Sequence, residues 1–192
     1  MEDRIRVRKV ETLSDAWSVL KRTTLDYRRR DGSWQTQVRE TYDRGDGAAV
    51  LLLNRARRTV LLVRQFRYPA YVNGHPEPLI EVCAGKLDAD DPEACVRKEA
   101  EEETGFRIEQ PVKAMESFMS PGSVTERLHL FVAEYDPDRP VSAGGGVATE
   151  TEDIERVEMG FEEALAAIDR GTIMDGKTIM LLQWAKLHGL MD

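Results

Sequence analysis

Two apolar runs constrain the fold of this chain most. AAVLLLN (48–54) and TVLLVRQF (59–66) carry no alternation of polar and apolar residues through their centres. A half-exposed strand would alternate, so both read as adjacent buried strands, with NRARR (54–58) as the polar turn between them. Each is far shorter than the ~20 residues of a membrane span.

Other elements follow from local signals. WSVLKRTTLDY and WQTQVRETYD carry β-branched and aromatic residues on either side of an Asp31-Gly32 turn, which predicts a hairpin in a β-rich first forty-odd residues. The glycine-containing stretch DRGDG (43–47) marks a soft boundary. LIEVCAG (79–85) reads as a strand ending at glycine. After it, Asp91 is a helix N-cap, Pro92 fits the first helical position and Gly105 fits the stop. Strands are expected over 112–118 and 127–135, and helices over FEEALAAIDRG and TIMLLQWAKLHG. SAGGGVATETEDIE (142–155) reads as a flexible acidic loop running into a short strand. Mixed strands with few helices, in no regular alternation, indicate the α+β class.

The segment VRKEAEEETG (96–105) crowds Glu99, Glu101, Glu102 and Glu103 into five positions. Like charges three and four residues apart on a helix repel by a few tenths of a kcal/mol per pair. At about 100° per residue, Glu103 falls about 40° to one side of Glu99 and Glu102 about 60° to the other. Glu101 faces nearly away, whereas Cys95 and Val96 lie on the glutamate side. A partly apolar glutamate face packs against the body of the protein, where its charges need a neutralising cation. Hard divalent ions such as Mg²⁺ take carboxylate and carbonyl oxygens. The carbonyl of Ala84, at the strand end before Gly85, can supply a further oxygen. A solvated acidic helix neighboured by Arg97 and Lys98 is the plain alternative.

Gly85, Asp91 and KEAEEETGF (98–106) resemble the Nudix box, G-x5-E-x7-R-E-U-x-E-E-x-G-U, where U is aliphatic or bulky apolar. Asp91 stands at the loop glutamate, Lys98 at the arginine, and the spacer is one residue shorter. ETYDRGDGAAVLLL, LVRQFR, LIEVCAGKLD, MSPGSVTE, AGGGV, EDIE and DGKT extend the resemblance over nearly the whole chain, to the GDP-mannose pyrophosphatase branch of the Nudix hydrolases.

That resemblance implies a Nudix-type α/β/α sandwich with a mixed sheet, preceded by an N-terminal antiparallel β element. Residues 1–43 would form a dimerisation and substrate element, and 44–192 the hydrolase domain. Mg²⁺, with Mn²⁺ as a substitute, would be held by Glu99, Glu103 and the Ala84 carbonyl. Glu102 would be a further ligand, direct or through water, with a catalytic role shared with Glu103. Glu152 takes the metal or base role, with Glu150 as its rival, and glycines 144–146 would let their loop close over substrate. Ala84, Gly85, Lys86 and Glu103 would also line the substrate. Arg67 would grip the diphosphate, a task suited to a guanidinium. Strand alternation puts Arg64 on the opposite face. Glu126 and Lys177 match family substrate contacts, although a turn carboxylate and a surface lysine would look the same. Trp17, Arg39 and Glu40 would reach the nucleotide in a second subunit; otherwise Trp17 is a core residue. His75, His129 and His188 lack zinc-ligand spacing.

The implied activity is Mg²⁺-dependent hydrolysis of a nucleotide sugar, foremost GDP-mannose to GMP and mannose 1-phosphate, by a homodimer. ADP-ribose or ADP-sugar hydrolysis is one alternative. A non-catalytic nucleotide-sugar-binding module is another, disfavoured because Glu99, Glu102 and Glu103 are all present. A net charge of −8 argues against nucleic acid and anionic membrane as partners. Two cysteines, Cys83 and Cys95, outside any CxxC pair, are expected as free buried thiols in a reducing cytoplasm.

Overall fold

The computed structural model describes residues 1–87, 91–147, 149 and 151–191. Glu150, the rival base, and 88–90 of the loop before the acidic helix lie outside them. The chain divides into two compact units: Met1–Asp46 together with Phe118–Arg127, and the remainder.

The first unit is a three-stranded antiparallel sheet of β1 (Ile5–Asp15), β2 (Val19–Arg28) and β3 (Trp34–Asp43). The β2–β3 hairpin pairs without a slip from Val19↔Asp43 to Arg28↔Trp34. It turns where expected, with Gly32 at φ +86° and the Ser33 N–H donating to Asp31 at 2.9 Å. Strand β1 adds a third strand to the expected hairpin, on the outer side of β2. Its register shifts between Val7 and Lys9 and between Thr12 and Ser14, which breaks the two-residue alternation a strand normally shows. Asp26 ties the three strands together, accepting from Arg8 Nε at 2.6 Å and Thr36 Oγ1 at 2.8 Å. The 118–127 segment joins through Tyr42 N–H to Ser123 O, 2.8 Å.

The second unit is built on a mixed sheet. Its strands are β4 (Gly47–Asn54), β5 (Thr59–Gln65), β6 (Leu79–Glu81), β7 (Cys83–Lys86), β8 (Val112–Phe118), β9 (Arg127–Glu134) and β10 (Ile154–Gly160). The order is β10-β5-β4-β9-β8; β9 runs parallel to β4, whereas β5 is antiparallel to β4, β6 and β10, and β7 is antiparallel to β4. All eight residues of β4 are buried, as its apolar run requires. The helices are α1 (Tyr68–Val72), α2 (Pro92–Glu99), α3 (Phe161–Asp169) and α4 (Gly176–Leu187). Ala48, Val50 and Leu52 form one core with Cys95, Val96 and Ala100 of α2 and its continuation. Helix α4 also contacts β4, and strand alternation leaves Ala49, Leu51 and Leu53 facing away from α2. The α/β/α sandwich follows. Among the described residues no helix is long and apolar enough to cross a membrane.

The predicted strand 79–85 is split. Strands β4 and β5 pair only from Leu52↔Leu61 to Asn54↔Thr59. Beyond that point they diverge, and the 79–86 segment fills the gap. Leu79–Glu81 pairs with β5, and Cys83–Lys86 pairs with β4. At the crossover the Val82 N–H leaves the ladder and donates to Thr178 Oγ1 at 2.8 Å.

Candidate active site

The acidic helix starts as the sequence predicts. Asp91 caps it, with Oδ1 accepting from Glu93 N–H at 2.9 Å and Ala94 N–H at 3.2 Å, and Pro92 opens the first turn. It does not continue as a uniform α-helix. Ala100–Thr104 forms a π-helical turn, which ends at Gly105 with φ +77°. Such turns re-aim side chains relative to α-helical spacing and recur at functional sites. The even 100° steps assumed from the sequence therefore stop applying at Ala100.

The consequence is that the glutamates separate. Glu103 is driven into the interior, 1% exposed, with Oε2 accepting from the Ala84 N–H at 3.3 Å. Glu99 lies across the β7 backbone: a Cβ on Gly85 would come within 1.9 Å of its Oε1, so only glycine leaves room for this carboxylate. Glu102 turns outward and pairs with Lys98 at 3.5 Å. Glu101 pairs with Arg107 at 3.4 Å. Of the three carboxylates expected on one face, Glu99 and Glu103 converge on Ala84–Gly85, and Glu102 sits to the side. Lys86, also on β7, is exposed.

Glu152 approaches from the loop before β10. Its Oε2 accepts from Val147 N–H at 3.0 Å, and its charge is felt at Glu103. Burial, against the pull of a Cys83 thiol hydrogen bond and with the charges of Glu99 and Glu152 added to it, pushes the Glu103 carboxyl up to about 8. Arg67 offsets part of this. Burial also pushes the Cys83 thiol well up. Both cysteines are free and buried.

Among the described residues no three Asp, Glu, His or Cys side chains already close around a point that could hold a metal ion. The donor chemistry nevertheless fits a hard divalent cation. A carboxyl raised by burial and by neighbouring negative charge, a second carboxylate on a glycine cradle and the Ala84 carbonyl of β7 are hard oxygen donors of the kind such a cation takes.

Beside these acids lies a buried ion network. Arg67, just after β5, donates to Glu81 through Nε at 2.8 Å and Nη2 at 3.0 Å. Lys177 Nζ donates to the same carboxylate and to Asp175 Oδ1 at 3.0 Å. Asp175 caps α4, accepting from Thr178 N–H at 3.0 Å and Thr178 Oγ1 at 2.6 Å. Burial would raise Glu81, but Arg67 and Lys177 together hold its carboxyl below the ordinary value. Lys177 is buried, whereas the Arg67 side chain is 39% exposed and retains an outer edge toward solvent. Arg64, on the opposite face as alternation requires, pairs with Glu155 at 2.7 Å. Sequence reasoning missed Glu81 and Asp175, and of Cys83 it foresaw the buried thiol but not the hydrogen bond to Glu103. The cap pattern Asp175–Thr178 was a visible signal for Asp175; nothing in LIEVC marks a buried carboxylate or a thiol donor.

In the first unit, Trp17 is 94% exposed, which removes the core reading within this chain. Arg39 donates to Val38 O and Gln37 Oε1, each at 2.8 Å, and Glu40 accepts from Arg22 Nη2 at 2.7 Å. Glu126 pairs with Arg44 at 3.5 Å.

Comparison with known proteins assigns both parts of the chain. Residues 4–42 match the GDP-mannose pyrophosphatase NudK N-terminal domain, and residues 43–181 match the NUDIX domain. A GDP-mannose pyrophosphatase of Cronobacter sakazakii is 52% identical over 185 residues, covering 96% of each chain. One from Yersinia enterocolitica is 53% identical over 182 residues, covering 94% of each. One from Pectobacterium atrosepticum is 51% identical over 190 residues, 98% of this chain and 97% of its own. A crystal structure of an ADP compounds hydrolase superposes with a TM-score of 0.72 at 15% identity, over 97% of this chain and 96% of its own, a likeness of fold.

Proposed function

The chain belongs to the Nudix hydrolases, and on that premise we propose that it hydrolyses the diphosphate of a nucleotide sugar, GDP-mannose, to GMP and mannose 1-phosphate. The observation that carries the chemistry is the convergence of buried Glu103 and of Glu99 on Ala84–Gly85, with the charge of Glu152 felt at Glu103. The substrate rests on the relatives, similar along both the N-terminal element and the hydrolase domain.

Glu99, Glu103 and the Ala84 carbonyl would hold Mg²⁺, or Mn²⁺ in its place, with Glu152 completing the set and Glu102 contributing at the edge. When bound, the cation neutralises diphosphate charge and acidifies water. The protein's own part is positioning and electrostatics, as in phosphoryl transfer generally. Glu81 holds the Arg67 guanidinium in a two-point grip, which aims its outer donors at the diphosphate. Lys177 balances the Glu81 charge from behind and adds positive potential. Glu152, oriented by the Val147 N–H, takes a proton from the attacking water. Gly85 and Lys86 line the approach to the substrate.

We assign residues 1–43 to dimerisation and nucleotide recognition and 44–192 to hydrolysis. Val7 and Val10, each more than half exposed, fall on one face of the three-stranded sheet, opposite Leu25 and Thr23, an apolar strip suited to a second copy. Trp17, Arg39, Glu40 and Glu126 offer stacking and hydrogen bonds to a base and sugar. The free thiols support a reducing, cytoplasmic setting. The test is product analysis with GDP-mannose and ADP-ribose side by side in millimolar Mg²⁺. GMP and mannose 1-phosphate are expected, with GDP-mannose preferred. A large preference for ADP-ribose transfers the assignment to adenine substrates, and binding without product makes the protein a non-catalytic module.

A further inference from the structure

The glycine triplet read from the sequence as a hinge makes a different set of contacts in the fold. A helix leaves its last carbonyls without intrahelical partners. Here the 141–156 segment supplies nearly all of them. Glu101 O accepts from Ser142 Oγ at 3.1 Å as well as from Gly105 N–H at 3.0 Å. Glu102 O accepts from Gly146 N–H at 3.0 Å, and Glu103 O from Gly145 N–H at 2.9 Å. Thr104 O accepts from Arg156 Nη1 at 3.2 Å, and Gly105 O from Val141 N–H at 2.8 Å.

At Gly144 and Gly146 the contacts leave no room for a Cβ, and all three glycines sit at positive φ. Gly144, Gly145 and Gly146 have φ of +64°, +99° and +84°. A Cβ on Gly144 would lie 2.7 Å from Thr104 C and 2.8 Å from Glu103 O. A Cβ on Gly146 would lie 2.7 Å from both Cβ and Oε2 of Glu152. The same short turn therefore touches the backbone of Glu103 on one side and the side chain of Glu152 on the other. Gly145 O then accepts from Ile154 N–H at 3.2 Å, which locks the turn to the start of β10.

We propose that Gly144–Gly146, with Ser142, is a positioning clasp for the metal site: it closes the carbonyl end of the acidic helix and fixes the spacing of Glu103 and Glu152 before substrate arrives. The triplet is thus a fixed element of the site and not a lid. This rests on the reading that Glu99, Glu103 and Glu152 hold a divalent cation.

Hydrogen exchange on the metal-free wild-type protein tests it first. The Gly145 and Gly146 amides should exchange as slowly as the amides within α2; exchange at the rate of unstructured chain overturns the clasp. Mn²⁺ titration by calorimetry tests its consequence. Gly144→Ala and Gly146→Ala should bind Mn²⁺ about tenfold or more weakly, the range for residues supporting metal ligands. Gly171→Ala is the control, with φ +71° and nothing near its Cβ: it should lose thermal stability and keep wild-type Mn²⁺ affinity. Should the glycine variants not fold, Ser142→Ala carries the test without backbone strain, with affinity reduced roughly threefold to fivefold, the weight of one hydrogen bond. Unchanged Mn²⁺ affinity in the folded variants overturns the proposal. Glu103→Gln separates it from its premise: if that variant binds Mn²⁺ like wild type, the metal reading fails; if it loses Mn²⁺ while the clasp variants retain it, the clasp alone fails.

Discussion

Replacing Glu103 by glutamine should have opposite effects with and without a divalent cation. In the metal-free fold the carboxyl stays protonated up to about 8, because it is buried and faces Glu99 and Glu152, against an ordinary value of 4.5 in the unfolded chain. Between those two values the folded state binds more protons than the unfolded state, so raising the pH destabilises the fold. Below 4.5 the group contributes no pH dependence. At pH 7 the cost is about 3 kcal/mol, and above pH 8 it levels off near about 5 kcal/mol, at about 1.4 kcal/mol per pH unit. Glutamine keeps an acceptor for the Ala84 N–H and cannot ionise, so it escapes most of that cost. Differential scanning calorimetry in chelator should show Glu103→Gln melting roughly 10 °C above wild type at pH 7, and further above it at pH 9. Saturating Mg²⁺ should reverse the order, since ligand binding stabilises only the form that can hold it, and turnover of GDP-mannose should fall by orders of magnitude. A metal-free variant less stable than wild type at pH 9, or one that gains as much from Mg²⁺, would refute the reasoning. The window is separate from that of Glu81, whose lowered value means its stabilisation is lost only as the pH falls below the ordinary carboxylate range.

Further perturbations probe the neighbours. Gly85→Ala places a methyl on the Glu99 carboxylate and should weaken Mn²⁺ binding by about tenfold or more in calorimetry while the protein still folds. Glu81→Gln leaves Arg67 and Lys177 without their shared counter-ion; it should cost roughly 3 kcal/mol in urea unfolding and raise KM for the nucleotide sugar. Asp91→Ala removes the cap of α2 and should cost about 1 kcal/mol in the same assay.

The parts of the fold that announced themselves in the sequence are those fixed by local chemistry. The apolar runs of β4 and β5, the Asp31-Gly32 turn and the Asp91-Pro92 helix start each depend on a few adjacent residues. Strand β1 was hidden because Val7, Val10 and Leu13 lie three apart, a spacing that does not read as a strand and that two register shifts accommodate in the fold. The break at Val82 was hidden because it is set by the divergence of β4 from β5 and by Thr178, nearly a hundred residues on. At the site, the glutamates and Gly85 were legible as a resemblance, but the π-helical turn that buries Glu103 and sets Glu102 apart depends on tertiary partners. So do the Glu81 network and the contacts of Gly144–Gly146, whose composition suits a hinge as well as a close approach.

The most direct measurement is an anomalous difference map from crystals soaked in Mn²⁺. The account predicts a peak at coordination distance, about 2.1 Å, from oxygens of Glu99 and Glu103 and the Ala84 carbonyl. A peak on the outer face beside Glu101, Glu102 and Lys98, or none at millimolar Mn²⁺, would contradict it.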